Sequence, residues 1–349
     1  MKILISTVQA PFIKGGAELL ASNLKNALLK AGHETEIVSI PFMDNPNEMI
    51  VDHIVASRLY DINYTWAGKI DLNIGLKFPA YYMPHDNKVL WVLHQHRAAY
   101  ELFDTEYSNL KNNPKDLKIR NAVIAADNLY MKESKRVYTI AKNVTRRMDQ
   151  YNKIKSEALY HPCPDMDKFY TKECEDYILM PSRINTTKRQ ALAIEAMRHS
   201  KTKTKLYIVG GADNDYEKNR MLSLIKEYKL QDKIKYFDYI SQEEKFEMYA
   251  KSKAILFIPL DEDYGYITLE AMAAGKPVIT AKDSGGPLEF VDNGINGFVV
   301  EPNAKEIAEV FDKVAKSSVL SVELGLQSKN KLVEMNITWE NVVKELTKL

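Results

Sequence analysis

Two glutamates that stand eight positions apart are the residues whose types and spacing best suit chemistry. Glu262 falls in a loop that follows a short apolar run, and Glu270 falls in the first turn of the next helical stretch. Between them lies a helix N-terminus, where backbone N–H groups and partial positive charge favour an anion such as phosphate. The segment therefore predicts an anion site with a carboxylate on either side.

Basic residues follow another apolar run, the strand candidate 177–180. Arg183 and Lys188 stand in the sequence from Pro181 to Arg189, in a strand-end loop and at a helix start. Cations in these positions could project into a cleft and would suit a diphosphate. The alternative is an ordinary solvated Lys/Arg face, which this stretch taken in isolation would favour.

Glycine pairs end two of the strand candidates. The loop Lys14-Gly15-Gly16 leads into a helix, and Gly210 with Gly211 ends the run 205–209. Glycines let backbone N–H groups approach an anion closely, although each pair could equally be a tight turn. Neither fits Gly-x-Gly-x-x-Gly, so a nicotinamide dehydrogenase is poorly supported.

Three acidic triplets have the form Asp-x-Asp, a pattern that can hold Mg²⁺ or Mn²⁺ beside a diphosphate. They begin at Asp165, Asp213 and Asp261. Because surface turns rich in aspartate also produce this short pattern, we expect no metal role for any of them.

Composition excludes several classes of protein. The 349 residues carry a formal net charge of +1, which argues against a protein whose main task is coating nucleic acid. The apolar runs are too short to cross a bilayer, and the N-terminal residues predict a buried strand rather than a signal peptide. Two cysteines, Cys163 and Cys174, cannot form a disulfide framework. We expect a cytoplasmic protein.

Strand and helix patterns alternate along the chain, with a turn-rich connector at 160–165. This predicts an α/β fold with two doubly wound parallel sheets. We place the domains at 1–170 and 171–335, with a C-terminal helix, 336–349, packing back on the first. In such sheets ligands bind outside the carboxyl ends of the strands.

Three helix boundaries near the candidate residues are predicted from capping signals. Thr268 is the expected N-cap of a helix over 269–274 that stops at Gly275, and another helix is expected over 188–197. Ser241 with Glu244 fits a capping box at the start of a further helix.

The stretch 261–279 resembles the Glu-x7-Glu signature of glycosyltransferase family 4, whose members are retaining enzymes of GT-B fold with two Rossmann-like domains facing a central cleft. Further motifs match in the same order along the chain. They are the glycine loop 15–18, His94 after the strand candidate 88–93, the basic pair Arg183 and Lys188, and the loops 284–289 and 293–298. The likeness is dense from about 176 to 315 and thinner over the N-terminal half.

This resemblance implies transfer of a sugar from a nucleotide diphosphate sugar (a UDP- or GDP-sugar) to a glycan or lipid-linked acceptor, in polysaccharide or glycoconjugate biosynthesis. Glu270 would bind the ribose hydroxyls, and Arg183 and Lys188 the diphosphate. The other implied donor-binding residues are Gly15, Gly16, Gly210, Tyr266, Ile267, Thr268 and Leu269. The implied catalytic residues are Glu262, Asp263 and His94. The family needs neither a metal nor another cofactor, and its N-terminal domain selects the acceptor.

The sequence departs from the family pattern at the sugar end of the motif. Asp263-Tyr264-Gly265 stands where Gly-Phe-Gly is usual, and Tyr266 follows. The surroundings of the sugar are therefore altered, and the identity of the donor sugar cannot be copied from a relative. His96 and Arg97 are weaker candidates beside His94, and His161 is expected to be structural.

Residues 118–155 contain ten basic residues against three acidic ones. The stretch predicts either a solvated helix face or contact with anionic lipid, which would place the protein peripherally at the inner face of a membrane. Two alternatives to a glycosyltransferase stay open: an epimerase or phosphorylase of the same fold, and a non-catalytic nucleotide-sugar-binding subunit.

Overall fold

The computed structural model describes residues 1–12 and 15–348 of the chain. Ile13, Lys14 and Leu349 lie outside the described residues, and with them the lysine of the first glycine loop and the last residue of the expected C-terminal helix. Backbone contacts divide the chain into two units. The first unit comprises Met1–Pro164 and Thr338–Leu349, and the second comprises Asp165–Ile337.

Strands and helices alternate through both units, as the apolar pattern predicts. Within the described residues the strands are β1 (Lys2–Gln9), β2 (Glu34–Pro41), β3 (Tyr64–Thr65), β4 (Gly68–Lys69), β5 (Leu72–Gly75), β6 (Lys88–Val92), β7 (Arg136–Thr139), β8 (Glu157–Ala158), β9 (Tyr177–Pro181), β10 (Lys205–Val209), β11 (Ile234–Phe237), β12 (Ala254–Leu256), β13 (Val278–Ala281) and β14 (Gly297–Val300). The α-helices are α1 (Gly16–Lys30), α2 (Met49–Leu59), α3 (Pro114–Tyr130), α4 (Lys142–Asn152), α5 (Gln190–His199), α6 (Asp215–Glu227), α7 (Gln242–Lys251), α8 (Tyr266–Ala273), α9 (Ala304–Lys316), α10 (Ser318–Glu334) and α11 (Trp339–Leu346).

The first unit is built on a parallel sheet with the strand order β2-β1-β5-β6-β7-β8. Ile5 of β1 stands beside Ile37 of β2 on one side and Ile74 of β5 on the other. Every residue of β6 is buried, which is usual for a parallel strand covered on both faces. Strands β3 and β4 form a separate antiparallel hairpin.

Helix α11 completes the first unit from the far end of the sequence. It contacts α1, and the Trp339 ring lies stacked against His161 with centroids 5.9 Å apart. Trp91 of β6 meets His161 edge to face at 5.3 Å. Burial lowers the pKa of His161 to about 3, so this histidine is a neutral packing residue.

The second unit has a parallel sheet with the strand order β11-β10-β9-β12-β13-β14. The chain therefore moves outward from β9 in both directions, first to β10 and later to β12. A crevice opens at such a reversal of strand order, outside the carboxyl ends of the strands. The loops after β9, β10 and β12 flank it. The α/β class with two doubly wound sheets is thus confirmed.

The helix expected over 188–197 begins later than predicted. Thr186–Lys188 forms a short 3₁₀ turn, and Arg189 then takes a left-handed conformation with φ of 60°. Helix α5 starts at Gln190. Lys188 consequently lies in the strand-end loop and not on the helix. No described helix is both long and apolar enough to cross a membrane.

Candidate active site

Three loops at the carboxyl end of the second sheet are tied together by backbone hydrogen bonds. Leu260 N–H donates to the Thr187 carbonyl at 2.8 Å, which joins the loop after β12 to the loop after β9. Glu262 N–H donates to Ser284 O at 2.9 Å, and Gly286 N–H returns to Glu262 O at 2.7 Å. The backbone of Glu262 is thereby fixed between two neighbouring loops.

Lys188 forms an ion pair with Glu262 through Nζ and Oε2. The side chains are 15% and 26% exposed, so both charges sit partly out of water. Asn185 caps the preceding turn by accepting the N–H of Lys188 at 3.0 Å. The structure therefore brings together the cation expected at the diphosphate and the glutamate expected at the sugar, and each neutralises the charge of the other.

Helix α8 begins three residues earlier than the predicted start at Leu269, which makes the assignment of Thr268 as N-cap wrong. Gly265 is the N-cap and turns the chain with φ of 89°. Thr268 lies fully buried in the first turn, and its N–H donates to Gly265 O at 2.9 Å. The first turn of α8 thus contains four of the predicted donor-binding residues, Tyr266, Ile267, Thr268 and Leu269.

Close approach of the backbone explains a glycine beside this helix. A Cβ at Gly286 would lie 2.7 Å from the carbonyl oxygen of Tyr264, so a side chain there would push the loop away from the start of α8. Asp263 and Tyr264 follow Glu262 in the same loop, with Tyr264 buried and Asp263 half-buried.

Glu270 is buried on α8 and held by two side chains of α7. Lys245 Nζ lies 2.6 Å from Oε1, and the Tyr249 hydroxyl donates to Oε2. A buried carboxylate is stable only when it is paired and hydrogen-bonded, and these two donors supply both conditions. Its orientation is therefore set before any ligand arrives.

A pocket of about 190 Å³ opens beside this cluster, where β9 and β10 end. Its walls include Pro181, Val209 and Ile240 as well as Lys245 and Tyr249. Its lining is mainly apolar, with Lys245 and Tyr249, the two partners of Glu270, among its walls, so it can accept a flat ring.

Gly210 and Arg183 line the same pocket. Gly210 has φ of 137°, and a Cβ there would lie 2.5 Å from Ser182 O. Arg183 is 72% exposed and pairs with Asp213 at 3.0 Å. Asp213 of the second acidic triplet therefore pairs with an arginine, and Asn214 of the same triplet caps α6. Among the described residues no group of three or more His, Cys, Asp or Glu side chains is arranged to hold a metal ion.

The remaining predicted residues lie in the first unit. Gly15 is the N-cap of α1, and its N–H donates to Glu18 Oε2 at 2.8 Å, with Gly16 as the first helical residue. His94 follows β6, is half-buried, and has Nδ1 2.7 Å from Gln95 O. Both positions come after carboxyl ends of strands in the same sheet.

His96 and Arg97 have structural surroundings. Burial lowers the pKa of His96 to about 4, and its ring stacks on Phe78 with centroids 5.0 Å apart. Arg97 forms an ion pair with Glu101 one helical turn away. These contacts place both side chains in the packing of the first unit.

Sequence reasoning missed Lys245, Tyr249 and the bidentate pair of Arg189 with Asp283, at 2.7 and 2.6 Å. A signal existed for the first two. The capping box of Ser241 and Glu244, which the structure confirms, fixes the start of α7. Positions four apart then share one helix face, which places Lys245 and Tyr249 side by side.

The second unit is similar to a known protein family. Residues 165–331 match the family described as glycosyl transferases group 1. The alpha-1,3/1,6-mannosyltransferase ALG2 of Dictyostelium discoideum is 32% identical over 139 residues, which cover 38% of this chain and 33% of that relative. The matched segment is thus about a third of the relative's own length.

Solved structures resemble the whole chain at low sequence identity. Sucrose-phosphate synthase from Thermosynechococcus elongatus superposes with a TM-score of 0.76 at 16% identity and covers 99% of this chain and 97% of its own. Anabaena HepE, in complex with UDP and glucose, gives 0.71 at 17% identity over the full length of both chains. The chain therefore has the GT-B fold, and its residues 165–331 are similar to the family of glycosyl transferases group 1.

Proposed function

We propose that this protein is a retaining, metal-independent glycosyltransferase of family 4 that moves a sugar from a UDP- or GDP-sugar to a glycan or lipid-linked acceptor. The observation that carries the proposal is the buried carboxylate of Glu270, held by Lys245 and Tyr249, which both line a pocket. A carboxylate fixed in this way is ready to accept hydrogen bonds from two adjacent hydroxyls, such as those of a ribose.

The diphosphate would lie between the pocket and Glu262. Lys188 and Arg183 supply positive charge there, and the N-terminal turn of α8 adds the helix dipole and the backbone donors of Tyr266 and Ile267, since the Thr268 N–H already donates to Gly265 O. Lys188 would exchange Glu262 for the phosphate oxygens when the donor binds. Glu262 is then released to accept hydroxyls of the transferred sugar, with Asp263 beside it.

The chemical step breaks the bond between the anomeric carbon and the phosphate oxygen and forms a bond from that carbon to the acceptor oxygen. Negative charge develops on the leaving diphosphate, and fixed cations and a helix dipole stabilise it. The proton of the acceptor hydroxyl passes to the departing phosphate oxygen on the same face. No step in this scheme needs a metal ion.

The first unit would contribute His94 at the sugar and Gly15 and Gly16 at the phosphates, as the family resemblance implies. It would also select the acceptor. Exposed basic residues on this unit support peripheral contact with an anionic membrane: Lys118, Lys132, Lys135, Lys142, Arg146, Lys153 and Lys155. Arg147 is excluded from this set because it is buried in an ion pair with Glu101 at 2.6 Å.

Thermal unfolding with a panel of nucleotides tests the donor class directly. A bound ligand raises the unfolding temperature by mass action, so UDP or GDP should raise it and ADP should not. Transfer from the matching sugar nucleotide, with the anomeric configuration of the product read by NMR, then tests retention. Unchanged rates in EDTA are expected, and a strict requirement for Mn²⁺ would contradict the metal-independent scheme.

The same protein samples distinguish a glycosyltransferase from a phosphorylase, an epimerase and a binding subunit. A phosphorylase of this fold would carry lysine-bound pyridoxal phosphate, which an absorbance spectrum detects. An epimerase would interconvert the free sugar nucleotide without an acceptor. A protein that binds a nucleotide sugar and neither transfers nor hydrolyses it with any acceptor would be a binding subunit.

A further inference from the structure

Lys276 is a buried cation that the proposed reaction does not use. It follows Gly275 at the end of α8, and its residue is 1% exposed. Its ammonium nitrogen lies 3.3 Å from the Lys172 carbonyl oxygen and 3.3 Å from the sulfur of Cys174. No carboxylate is paired with it anywhere in the described part of the chain.

Such a site favours the neutral form of lysine. A buried ammonium without an anion is costly, and the cost falls when the proton leaves. Burial accordingly lowers the pKa of Lys276; the charge interaction and hydrogen bond with Cys174 oppose this shift in part, and the positive charge of Lys329 adds to it. A neutral amine has a free electron pair, so it can act as a nucleophile toward an electrophilic sulfur.

Cys174 is placed to become that electrophile. Cys174 is partly exposed to solvent and is therefore the cysteine that a small oxidant can approach, whereas Cys163 of the first unit is buried. The Thr171 hydroxyl donates to Ala274 O at 2.8 Å and holds the two segments together just before the pair. Closing a bond between sulfur and nitrogen therefore needs only a movement of side-chain tips.

We propose that Cys174 and Lys276 form a redox-responsive pair that closes a covalent S–N crosslink when a peroxide oxidises the thiol. In the first step the thiol takes one oxygen from hydrogen peroxide, giving a sulfenic acid and one water. In the second, the Lys276 amine attacks the sulfur, the S–O bond breaks, and the hydroxyl leaves with an amine proton as a second water. The sulfur has been oxidised by two electrons and the peroxide reduced by two. A thiol in excess reverses the link by attacking the sulfur and returning the amine.

The crosslink has a structural consequence within the second unit. The two residues are 102 positions apart, so the bond closes a long loop that includes β9 to β12 and α5 to α8. Closing a long loop reduces the entropy of the unfolded chain. Oxidation would therefore raise the thermal stability of this unit and protect Cys174 from further oxidation to sulfinic acid.

Mass spectrometry of digested full-length protein tests the proposal. After treatment with hydrogen peroxide, the wild-type protein should yield a peptide pair joining Cys174 to Lys276, lighter than the two separate peptides by two hydrogens, and dithiothreitol should remove it. Cys163→Ser should form the same link, and Cys174→Ser should not. Dimedone, which traps sulfenic acid, should label Cys174 strongly in Lys276→Met and weakly in the wild type.

Two results would overturn the proposal, and the first needs no variant. Wild-type protein in which Cys174 proceeds to sulfinic acid or an intermolecular disulfide, with no linked peptide, excludes the crosslink. Equal dimedone labelling of wild-type protein and Lys276→Met likewise shows that the amine does not capture the sulfenic acid. Neither readout depends on sugar transfer, so the outcome is separate from the proposed function.

Discussion

The Tyr249 hydroxyl and Lys245 Nζ bind different oxygens of Glu270, so one buried carboxylate is fixed by two donors from a single helix face. Lys245 and Tyr249 also line the adjoining pocket. The carboxylate that is expected to bind ribose is therefore oriented by residues that flank the expected position of the base. Positioning of the ribose and shape of the pocket depend on the same two side chains.

Replacing Tyr249 by phenylalanine removes one of these donors and keeps the ring. We expect Tyr249→Phe to weaken binding of the cognate nucleoside diphosphate by about 10- to 150-fold, since a hydrogen bond to a charged group contributes about 1.5 to 3 kcal/mol. Titration calorimetry measures the change. Because the effect acts through the ribose hydroxyls, the 2′,3′-dideoxy nucleotide should bind wild-type protein and Tyr249→Phe equally.

A double-mutant cycle distinguishes orientation of Glu270 from general damage to the pocket. In the Glu270→Ala background the tyrosine has no carboxylate to orient, so adding Tyr249→Phe should change nucleotide affinity little. Equal losses in the two backgrounds would show that the phenol acts independently of Glu270. If wild-type protein binds no nucleoside diphosphate, the proposed function itself is wrong.

Glu262 is expected to affect turnover and not nucleotide affinity. Glu262→Gln keeps the shape of the side chain but removes its charge and its ion pair with Lys188. We expect UDP or GDP to bind at least as tightly as before, because Lys188 no longer has to leave a carboxylate. The transfer rate should fall by about 100-fold, the scale on which one electrostatic group at a reacting centre acts.

The matched control for this variant is Glu243→Gln, which makes the same chemical change on the exposed first turn of α7. It should leave binding and turnover unchanged. Steady-state kinetics with the cognate sugar nucleotide gives both parameters. A Glu262→Gln protein with full transfer activity would remove Glu262 from the catalytic residues.

The sequence predicts most strands around the site closely, because parallel strands buried on both faces are short apolar runs. The limits of β10 agree with the predicted run 205–209, and β9 ends one residue later than the run 177–180. Glu262 can be placed in a loop for the same reason, since it follows such a run, whereas Lys188 is predicted at a helix start and lies in the loop before the helix. The apolar period of α9, at 307, 310, 311 and 314, was also available in the sequence, although that helix is absent from the predicted elements.

The sequence could not predict features that depend on tertiary contacts. The start of α8 depends on the left-handed turn at Gly265, while a threonine three residues later offers a stronger local capping signal. Local charge counts treat Arg147 as part of a basic face, whereas its partner Glu101 lies 46 positions away. Contacts between residues far apart in sequence decide both cases.

Substitutions at two neighbouring glycines, Gly210 and Gly211, test whether the backbone at Gly210 requires glycine. Gly210→Ala introduces a Cβ 2.5 Å from Ser182 O in a backbone with φ of 137°, whereas a Cβ at Gly211 meets nothing closer than Asp238 Oδ1 at 3.7 Å. We expect Gly210→Ala to lower the free energy of unfolding by about 1 to 3 kcal/mol and to weaken nucleotide binding, because the strain lies in the pocket wall. Gly211→Ala should resemble the wild type in both. Chemical unfolding and calorimetry check this, and equal effects of the two substitutions would show that the close approach to Ser182 is unimportant.

Because His161 is buried, we expect the first unit to lose stability in acid. Burial lowers the pKa of His161 from 6.5 to about 3. Below pH 6.5 this histidine therefore binds a proton in the unfolded chain, whereas in the folded protein it stays neutral down to about pH 3. Stability is therefore retained above pH 6.5 and lost as the pH falls through that window, by about 3 kcal/mol between pH 6.5 and about pH 4.

In His161→Phe the ring can still pack against Trp91 and Trp339 without binding a proton. Urea unfolding across this pH range should consequently show a shallower loss for His161→Phe than for wild-type protein, whereas His199→Gln on the exposed end of α5 should follow the wild type. Parallel pH curves for His161→Phe and the wild type would assign the acid sensitivity to other groups, of which buried His96 is the next to examine.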